Sequence, residues 1–394
     1  MGAVEYRTRR VDRCGADAGS TGDTPDSARS RASVQLSGDP ERTALRTHRP
    51  TRTRPRLLPE ARFTFNTEFP AVYEDIFQES AMLRPMSFSL PQSLIDRLEE
   101  QFGVAKARQA VMGMTSRNVT LRVNTLKSND AAIMEIFRQE LIQFERSKGL
   151  AHAFIIKNRK AKELLNHKMC LDGLVYLQGL TSMLPPIVLD PKPSEAIADF
   201  CAAPGSKTSQ MAAMVMGGQR AEGKVGNVNI SAFEPNFVRY QKLHNTLKIQ
   251  GAEFVKTQQV DSTKLGAMMP EAFDKILLDV PCSGEGRIDA DDDSSFETWN
   301  DATHDAYPEL QRRLFTSAYA ALKPGGTLVY STCTLDPNEN ERIVNWALSE
   351  FPNLVAEAID LPFPGIVHKE TKSITLLPTK LYEGFFVAKL KKID

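Results

Sequence analysis

Cysteine, tryptophan and net charge are all scarce in this chain of 394 residues. It has five cysteines, two tryptophans, and 49 basic residues balanced by 49 acidic ones. The cysteines (Cys14, Cys170, Cys201, Cys282, Cys333) are odd in number and widely spaced. None forms a CxxC or a Cys/His pair at ligand spacing, which excludes a disulfide scaffold and argues against a metal site. The thiols are therefore expected to stay reduced, as in the cytoplasm or an organelle interior. No apolar run approaches the roughly 18 residues that span a bilayer, and the polar, Arg-rich start has no signal-peptide core. Two nucleotide motifs are missing as well. There is no GxGxxG, and PGSKT (204–208) has Ser206 and Cys201 where a phosphate loop needs glycines.

The zero net charge is unevenly distributed. Residues 1–60 carry twelve Arg and eight acidic residues, a net of +4, which leaves the rest of the chain at −4. A folded body of that sign meets a nucleic acid only through a local basic strip. The first 60 residues are too poor in aliphatics to offset the entropy of ordering, and read as disordered. Their Arg and Ser content also fits an organelle transit peptide, although eight acidic residues count against it. A biological start near Met86 is a third reading.

From Phe63 to about Ser116 the apolar spacing is helical. The clearest stretch is LPQSLIDRLEEQFG (90–103), with Pro91 in its opening turn and Gly103 at its stop. Next come a strand at 119–127, an amphipathic helix at 131–144 and a strand at 153–157, which suggest a small α/β module over 61–172. From Gly173 onward strands alternate with helices. Strands are expected at 195–200, 227–234, 254–260, 274–280 and 326–333, and helices at 206–216, 236–251 and 307–323. Such alternation indicates a parallel, doubly wound sheet over 173–394. The segments 373–379 and 383–390 read as an antiparallel edge pair.

Open parallel sheets bind ligands at the carboxyl ends of their strands, where strand order reverses. Here the first strand runs into DFCAAPGSKTSQ (199–210), a turn of small residues that opens a helix. Small side chains allow close approach of the backbone, and free N–H groups at a helix start suit an anionic group. Glu234 ends the second strand, where a carboxylate accepts hydrogen bonds from ribose. Asp261 follows the third strand and Asp279 ends the fourth. Each feature alone is common in ordinary turns and caps; together they describe a pocket for an adenosine-bearing cofactor without phosphates.

Cys282 follows the fourth strand in DVPCSGEG (279–286), and Cys333 follows the fifth in STCTLDPNENE (331–341). Side-by-side strands would turn both thiols toward the cofactor crevice. Cysteine often packs as a small hydrophobe, and Cys14, Cys170 and Cys201 are read that way. The Pro, Ser, Gly and Thr around Cys282 and Cys333 make polar, exposed loops that suit reactive thiols.

The blocks CAAPGSKT, DVPCSGEG and YSTCTLDPNENE, in that order, resemble the signatures of the Sun-type RNA cytosine-5 methyltransferases. LRVNTLK (121–127), GLVYLQGLTSMLPP (173–186), LKPGGTLVYSTCT (322–334) and EGFFVAKL (383–390) extend the likeness from about residue 86 to the end. It is closest to the bacterial 16S rRNA members. The resemblance implies a Rossmann-like class I S-adenosylmethionine-dependent methyltransferase with an amino-terminal module similar to an RNA-recognition fold.

The resemblance also implies roles. Cys201, Ala202, Ala203, Pro204, Gly205, Ser206 and Lys207 would line the S-adenosylmethionine pocket, with Glu234 at the ribose, Asp261 near the adenine and Asp279 at the methionine side. Cys333 would add to carbon 6 of cytosine, and Cys282 would assist product release. Lys207 and Asp279 would hold the base. The partner would be RNA, with rRNA ahead of tRNA, and Arg84, Arg122, Asn124 and Lys127 are candidate contacts. A DNA cytosine methyltransferase would attack from the Pro-Cys block instead. A catalytically silent RNA-binding or ribosome-assembly factor is the alternative from outside enzymology.

Overall fold

The computed structural model describes residues 90–221, 228–297, 299 and 301–394. The expected tail over 1–60, the helical pattern over 63–89, Arg84 and Met86 lie outside the described residues. The described residues belong to one compact unit.

It opens with the helices α1 (Gln92–Phe102) and α2 (Val104–Gly113), joined at Gly103. Gly103 takes φ +77° while its N–H closes on the Glu99 carbonyl, so it caps α1 as the sequence pattern requires. Leu94 and Leu98 of α1 and Ala107, Ala110 and Val111 of α2 are buried against Ile288, Leu335 and Leu377. The hairpin thus braces the loops that follow Cys282 and Cys333.

A small sheet follows, made of β1 (Val119–Val123), β2 (Phe144–Arg146), β3 (Ala153–Ile156) and β4 (Val175–Leu177) in the order β2-β3-β1-β4. Its pairings are all antiparallel. Helix α3 (Asp130–Gln139) covers it, and the Asn129 side chain caps that helix by accepting from the Ala132 N–H at 3.0 Å. Phe137, Phe144 and Phe154 meet with centroids 4.9–5.6 Å apart and centre this core. The short helices α4 (Ala161–Leu165) and α5 (Lys168–Leu171) lead into β4. The sequence reading expected β1, α3 and β3 but not β2 or β4. Each of those has three residues, too few for a period of two to show.

After α6 (Leu184–Leu189) comes the large sheet. Its elements are β5 (Ala196–Asp199), α7 (Ser206–Ala221), β6 (Asn229–Phe233), α8 (Phe237–Gln250), β7 (Lys256–Gln258), α9 (Leu265–Met268), β8 (Phe273–Asp279), α10 (Asp301–Ala321), β9 (Leu322–Thr332), α11 (Glu341–Glu350), β10 (Leu354–Glu357), β11 (Ile366–Val367), β12 (Ile374–Leu376) and β13 (Phe385–Lys392). The strand order is β11-β12-β13-β9-β8-β5-β6-β7, with β10 also on β13. Strands β5 to β9 pair in parallel. The chain builds outward from β5 through β6 to β7, then returns to β8 on the other side, so strand order reverses between β5 and β8. Neighbouring residues alternate between two cores: Ile197, Leu277 and Val329 face one, and Ala198, Leu278 and Leu328 the other. Burial on both faces is what makes these strands read as nearly continuous apolar runs.

Two expectations need adjustment. The pair at 373–390 is antiparallel, but β13 is not an edge strand: it pairs with β9 from Phe386↔Thr332 to Lys391↔Thr327 and with β12 on its far side. Helix α10 runs Asp301–Ala321 with Pro308 inside it, so it begins six residues before the expected span 307–323. Among the described residues no helix is long and apolar enough to cross a membrane.

Candidate active site

The reversal point between β5 and β8 gathers most of the residues singled out from the sequence. The turn after β5 is tied on both sides: the Ala202 N–H donates to the Phe233 carbonyl at 3.0 Å and the Ser262 hydroxyl to the Phe200 carbonyl at 2.5 Å. Arg239 reaches the Ala203 carbonyl at 3.2 Å. Gly205 turns the chain into α7 with φ +105°, a backbone conformation that a side chain would strain.

Acidic groups ring this turn. Asp199, at the end of β5, is buried; its Oδ2 accepts from the Thr208 hydroxyl at 2.7 Å while its Oδ1 has no protein partner. Burial pushes this carboxyl up to about 7. Glu234 is also buried, accepting from the Asn236 N–H at 3.0 Å and facing Arg239 at 3.4 Å. Asp261 sits at the rim, where one oxygen accepts from the Thr263 N–H and hydroxyl. Cys201 packs toward the Phe200 core, and burial raises its thiol well above the ordinary value, which makes it inert.

Lys207 leaves the first turn of α7 and crosses to the end of β8. Its Nζ lies 2.7 Å from Asp279 Oδ2, donates to the Ser182 hydroxyl at 2.9 Å, and stands 5.7 Å from the centre of the Phe385 ring. Asp279 Oδ1 accepts from the Ser331 hydroxyl at 2.7 Å. Burial alone would lower the Lys207 ammonium, but the Asp279 carboxylate outweighs it and the pKa is raised. The lysine therefore stays charged.

The two cysteines meet because β8 and β9 run in parallel with Asp279 opposite Ser331. Cys282 and Cys333 lie just past these ends, with their sulfurs 3.1 Å apart. The Cys333 N–H donates to Cys282 Sγ at 3.3 Å, and the Gly286 N–H to the Cys333 carbonyl at 2.9 Å. The thiols differ in environment. Cys333 is lowered by the hydrogen bond from Cys282 and by Arg287 and Lys207, against burial. Cys282 is raised by that same hydrogen bond, by burial, and by Cys333 and Glu339. Glu339 is buried behind it, accepting from the Ser283 N–H at 3.2 Å and the Gln311 amide at 2.7 Å, and burial pushes it up to about 7. One sulfur is prepared to ionise and the other to keep its proton.

The sequence model of the family described as 16S rRNA methyltransferase RsmB/F matches residues 186–391, the stretch that carries this constellation apart from Ser182. The chain belongs to that family. Curated relatives of this RsmB/F-family chain include ribosomal RNA small subunit methyltransferase F of Shewanella loihica, 36% identical over 283 residues. The protein of the same name from Klebsiella pneumoniae is 38% identical over 284 residues. These alignments take in 70% and 69% of this chain but 56% and 57% of the relatives, so the chain spans a little over half their length. Among solved structures, a methyltransferase homolog protein from Pyrococcus horikoshii is 30% identical, with a TM-score of 0.64, and is covered completely by 79% of this chain. NSun6 from the same organism, solved with SFG, has a TM-score of 0.65 at 24% identity, covering 77% of this chain and 98% of its own, and supports the fold. The fold is the Rossmann-like class I methyltransferase fold expected from the strand–helix alternation.

The RNA-contact candidates of the amino-terminal module need correction. Arg122 is buried, donating to Gln178 at 3.0 Å and to the Ser209 hydroxyl at 3.1 Å. Asn124 is buried too, and its amide donates to the carbonyls of Gly173 and Gln250. Lys127 spends its ammonium on the carbonyls of Asp172 and Ile249. These side chains tie the small sheet to α7 and α8, Arg122 and Asn124 because a buried donor needs an acceptor, and Lys127 from an exposed position. The sequence reading also missed five residues of the site, one of them Asp199, which opens the quoted block DFCAAPGSKTSQ. Ser331 and Glu339 stand within the quoted Cys333 block and Ser182 within GLVYLQGLTSMLPP, so their positions were in view without their roles. Arg287 falls one residue past DVPCSGEG, and no pattern marks it.

Proposed function

We propose that this chain is an S-adenosylmethionine-dependent RNA methyltransferase that modifies carbon 5 of cytosine in rRNA, with Cys333 as the nucleophile. The observation that carries this reading is the pair of thiols in contact beside the Lys207–Asp279 ion pair at the ends of β8 and β9. The names of the curated relatives and the family description support rRNA as the substrate.

The turn at 201–207 fits the cofactor. Its residues up to Ser206 are small, Glu234 is a buried acceptor beside it, and the unpartnered Asp199 Oδ1 offers a further acceptor. Cys201 to Lys207, Glu234, Asp261 and Asp279 would hold S-adenosylmethionine. When bound, it supplies a methyl group on a positively charged sulfur. The protein's own contribution is to make carbon 5 nucleophilic. The Cys333 thiolate bonds to carbon 6, and the displaced electron pair makes carbon 5 electron-rich. Lys207 and Asp279 orient the ring and balance its charge, help of a kind that contributes typically ~10²–10⁴-fold. Once carbon 5 carries the methyl group, solvent takes its remaining proton, and the electron pair left behind re-forms the carbon 5–carbon 6 double bond as the bond to Cys333 breaks and returns the thiolate. Cys282, held protonated beside it, assists that release. The target base leaves its stack at a cost of a few kcal/mol, so unpaired sites are favoured. The division near Gly173, with the small sheet as an RNA-recognition-like module, belongs to this reading.

The test is transfer of tritiated methyl groups from S-adenosylmethionine to rRNA, with total tRNA assayed in parallel. Label on 5-methylcytosine is expected with wild type and none with Cys333→Ala, while Cys282→Ala is expected to accumulate a covalent protein–RNA adduct. Activity that survives Cys333→Ala but not Cys282→Ala would reverse the assignment of the nucleophile. Cofactor binding without label on any RNA would favour the silent assembly factor.

A further inference from the structure

Lys207 is the obvious cation near Cys333, but its charge is committed. It forms a close ion pair with Asp279, and the two together are neutral. A thiolate beside a neutral pair still needs a positive partner, since an isolated buried charge is costly. The loop after Cys282 provides one. Its last turn is fastened directly to the nucleophile's own backbone: the Gly286 N–H donates to the Cys333 carbonyl, and the Gly384 N–H donates to the Gly286 carbonyl, both at 2.9 Å. Residue 287 is thereby fixed next to Cys333, and the charge of the Arg287 guanidinium acts on that sulfur more than on any other group.

We propose that Arg287 is a further catalytic residue, whose guanidinium pairs with the Cys333 thiolate and selects that sulfur, rather than Cys282, as the nucleophile. The inference rests on the reading of Cys333 as the attacking group. Arginine suits the task because it stays charged across the working pH range. The selection comes from asymmetry. The Arg287 charge acts first on Cys333 and less on Cys282, while the Glu339 carboxyl lies beside Cys282 and discourages its ionisation. The other titratable groups facing the pair are Lys207 and Asp279, Tyr307 of α10 and Tyr330 of β9. Glu383 faces Arg287 but also faces Arg117, so its charge is shared. Because the main chain of 284–286 carries the loop's ties, the exposed Arg287 side chain can be changed without dismantling the fold.

The experiment is the pH dependence of Cys333 alkylation by iodoacetamide in the full chain, followed peptide by peptide by mass spectrometry. Only the thiolate reacts, so the midpoint reports the ionisation of this one sulfur. Arg287→Gln is expected to move the midpoint up by about one pH unit and slow alkylation near pH 7 by about tenfold. Arg287→Lys is expected to recover most of the loss, with Cys170 alkylation unchanged. Arg287→Met serves as a second uncharged variant should the glutamine variant melt early. An unmoved midpoint in both uncharged variants, or a wild-type midpoint lower at Cys282 than at Cys333, would overturn the proposal. Alkylation requires neither RNA nor methyl donor. A shifted midpoint with no methyl transfer to any RNA would therefore sink the activity and leave the pairing, and methyl transfer with an unmoved midpoint would do the reverse.

Discussion

Asp279 carries two tasks with its two oxygens, one on Lys207 and one on Ser331. Removing its charge while keeping its shape leaves the Lys207 ammonium, largely buried, with no carboxylate to balance it. Breaking a buried ion pair from one side costs about 3–5 kcal/mol when both partners are deeply buried. Asp279 is somewhat more open than that, so Asp279→Asn is expected to lose about 2–3 kcal/mol in a denaturant titration. Methyl transfer should fall by at least about 10²-fold, because the base then lacks its charged clamp. A variant that keeps activity within a few-fold would remove Asp279 from the site.

Individual elements act here as clamps on loops. The loop 280–288 runs between β8 and the strand that follows Gly384, and it closes only because two glycines face each other. A Cβ on Gly286 would stand 2.1 Å from the Gly384 carbonyl oxygen, well inside contact distance. Overpacking of this kind costs typically about 1–3 kcal/mol, and here the obstacle is main chain that cannot rotate aside. Gly286→Ala is therefore expected to lower the melting temperature and to detach the loop from Cys333. The second effect would appear as Cys333 alkylation that shifts toward the midpoint of an ordinary thiol. A stable variant with wild-type alkylation would show that the loop has another way to close. The α1–α2 hairpin supports the same region from outside, since its buried face packs on Ile288 and Leu335.

At the scale of the whole molecule, two buried carboxyls link stability to pH. Asp199 and Glu339 are both pushed up to about 7 by burial, from ordinary values near 4. Between those limits the folded chain holds protons that the unfolded chain has released, so this contribution to stability declines as pH rises from about 4 to about 7 and is level above it. Glu339→Gln removes one of the two titrations. Its stability relative to wild type should improve by about 2 kcal/mol between pH 5 and pH 8, a difference that denaturation at both values would detect. A gap that stays constant with pH would mean that Glu339 is ionised in the folded state.

Much of the architecture was legible without coordinates, and the reason is periodicity. β5, β6, β8 and β9 are short apolar runs bounded by turn residues, and α7 and α8 fill the gaps at helical spacing. Local composition is enough to specify such elements, and the order of the blocks with Cys201, Asp279, Cys282 and Cys333 brought the site into view. Three-residue strands such as β2 and β4 left no period to read. The place of β13 inside the sheet was likewise hidden, because pairing partners are distant in the chain. The polar side chains told the same story: Arg122, Asn124 and Lys127 looked like surface donors in sequence, but Arg122 and Asn124 are buried on Gln178 and Gly173, and Lys127, though exposed, is tied to the Ile249 carbonyl. Residue type and spacing thus determined the fold class and which side chains can do the chemistry. The parallel register of β8 with β9, and a glycine contact 98 residues apart, decided which side chains stand around the two sulfurs, since charge interactions depend on distance in space and not along the chain.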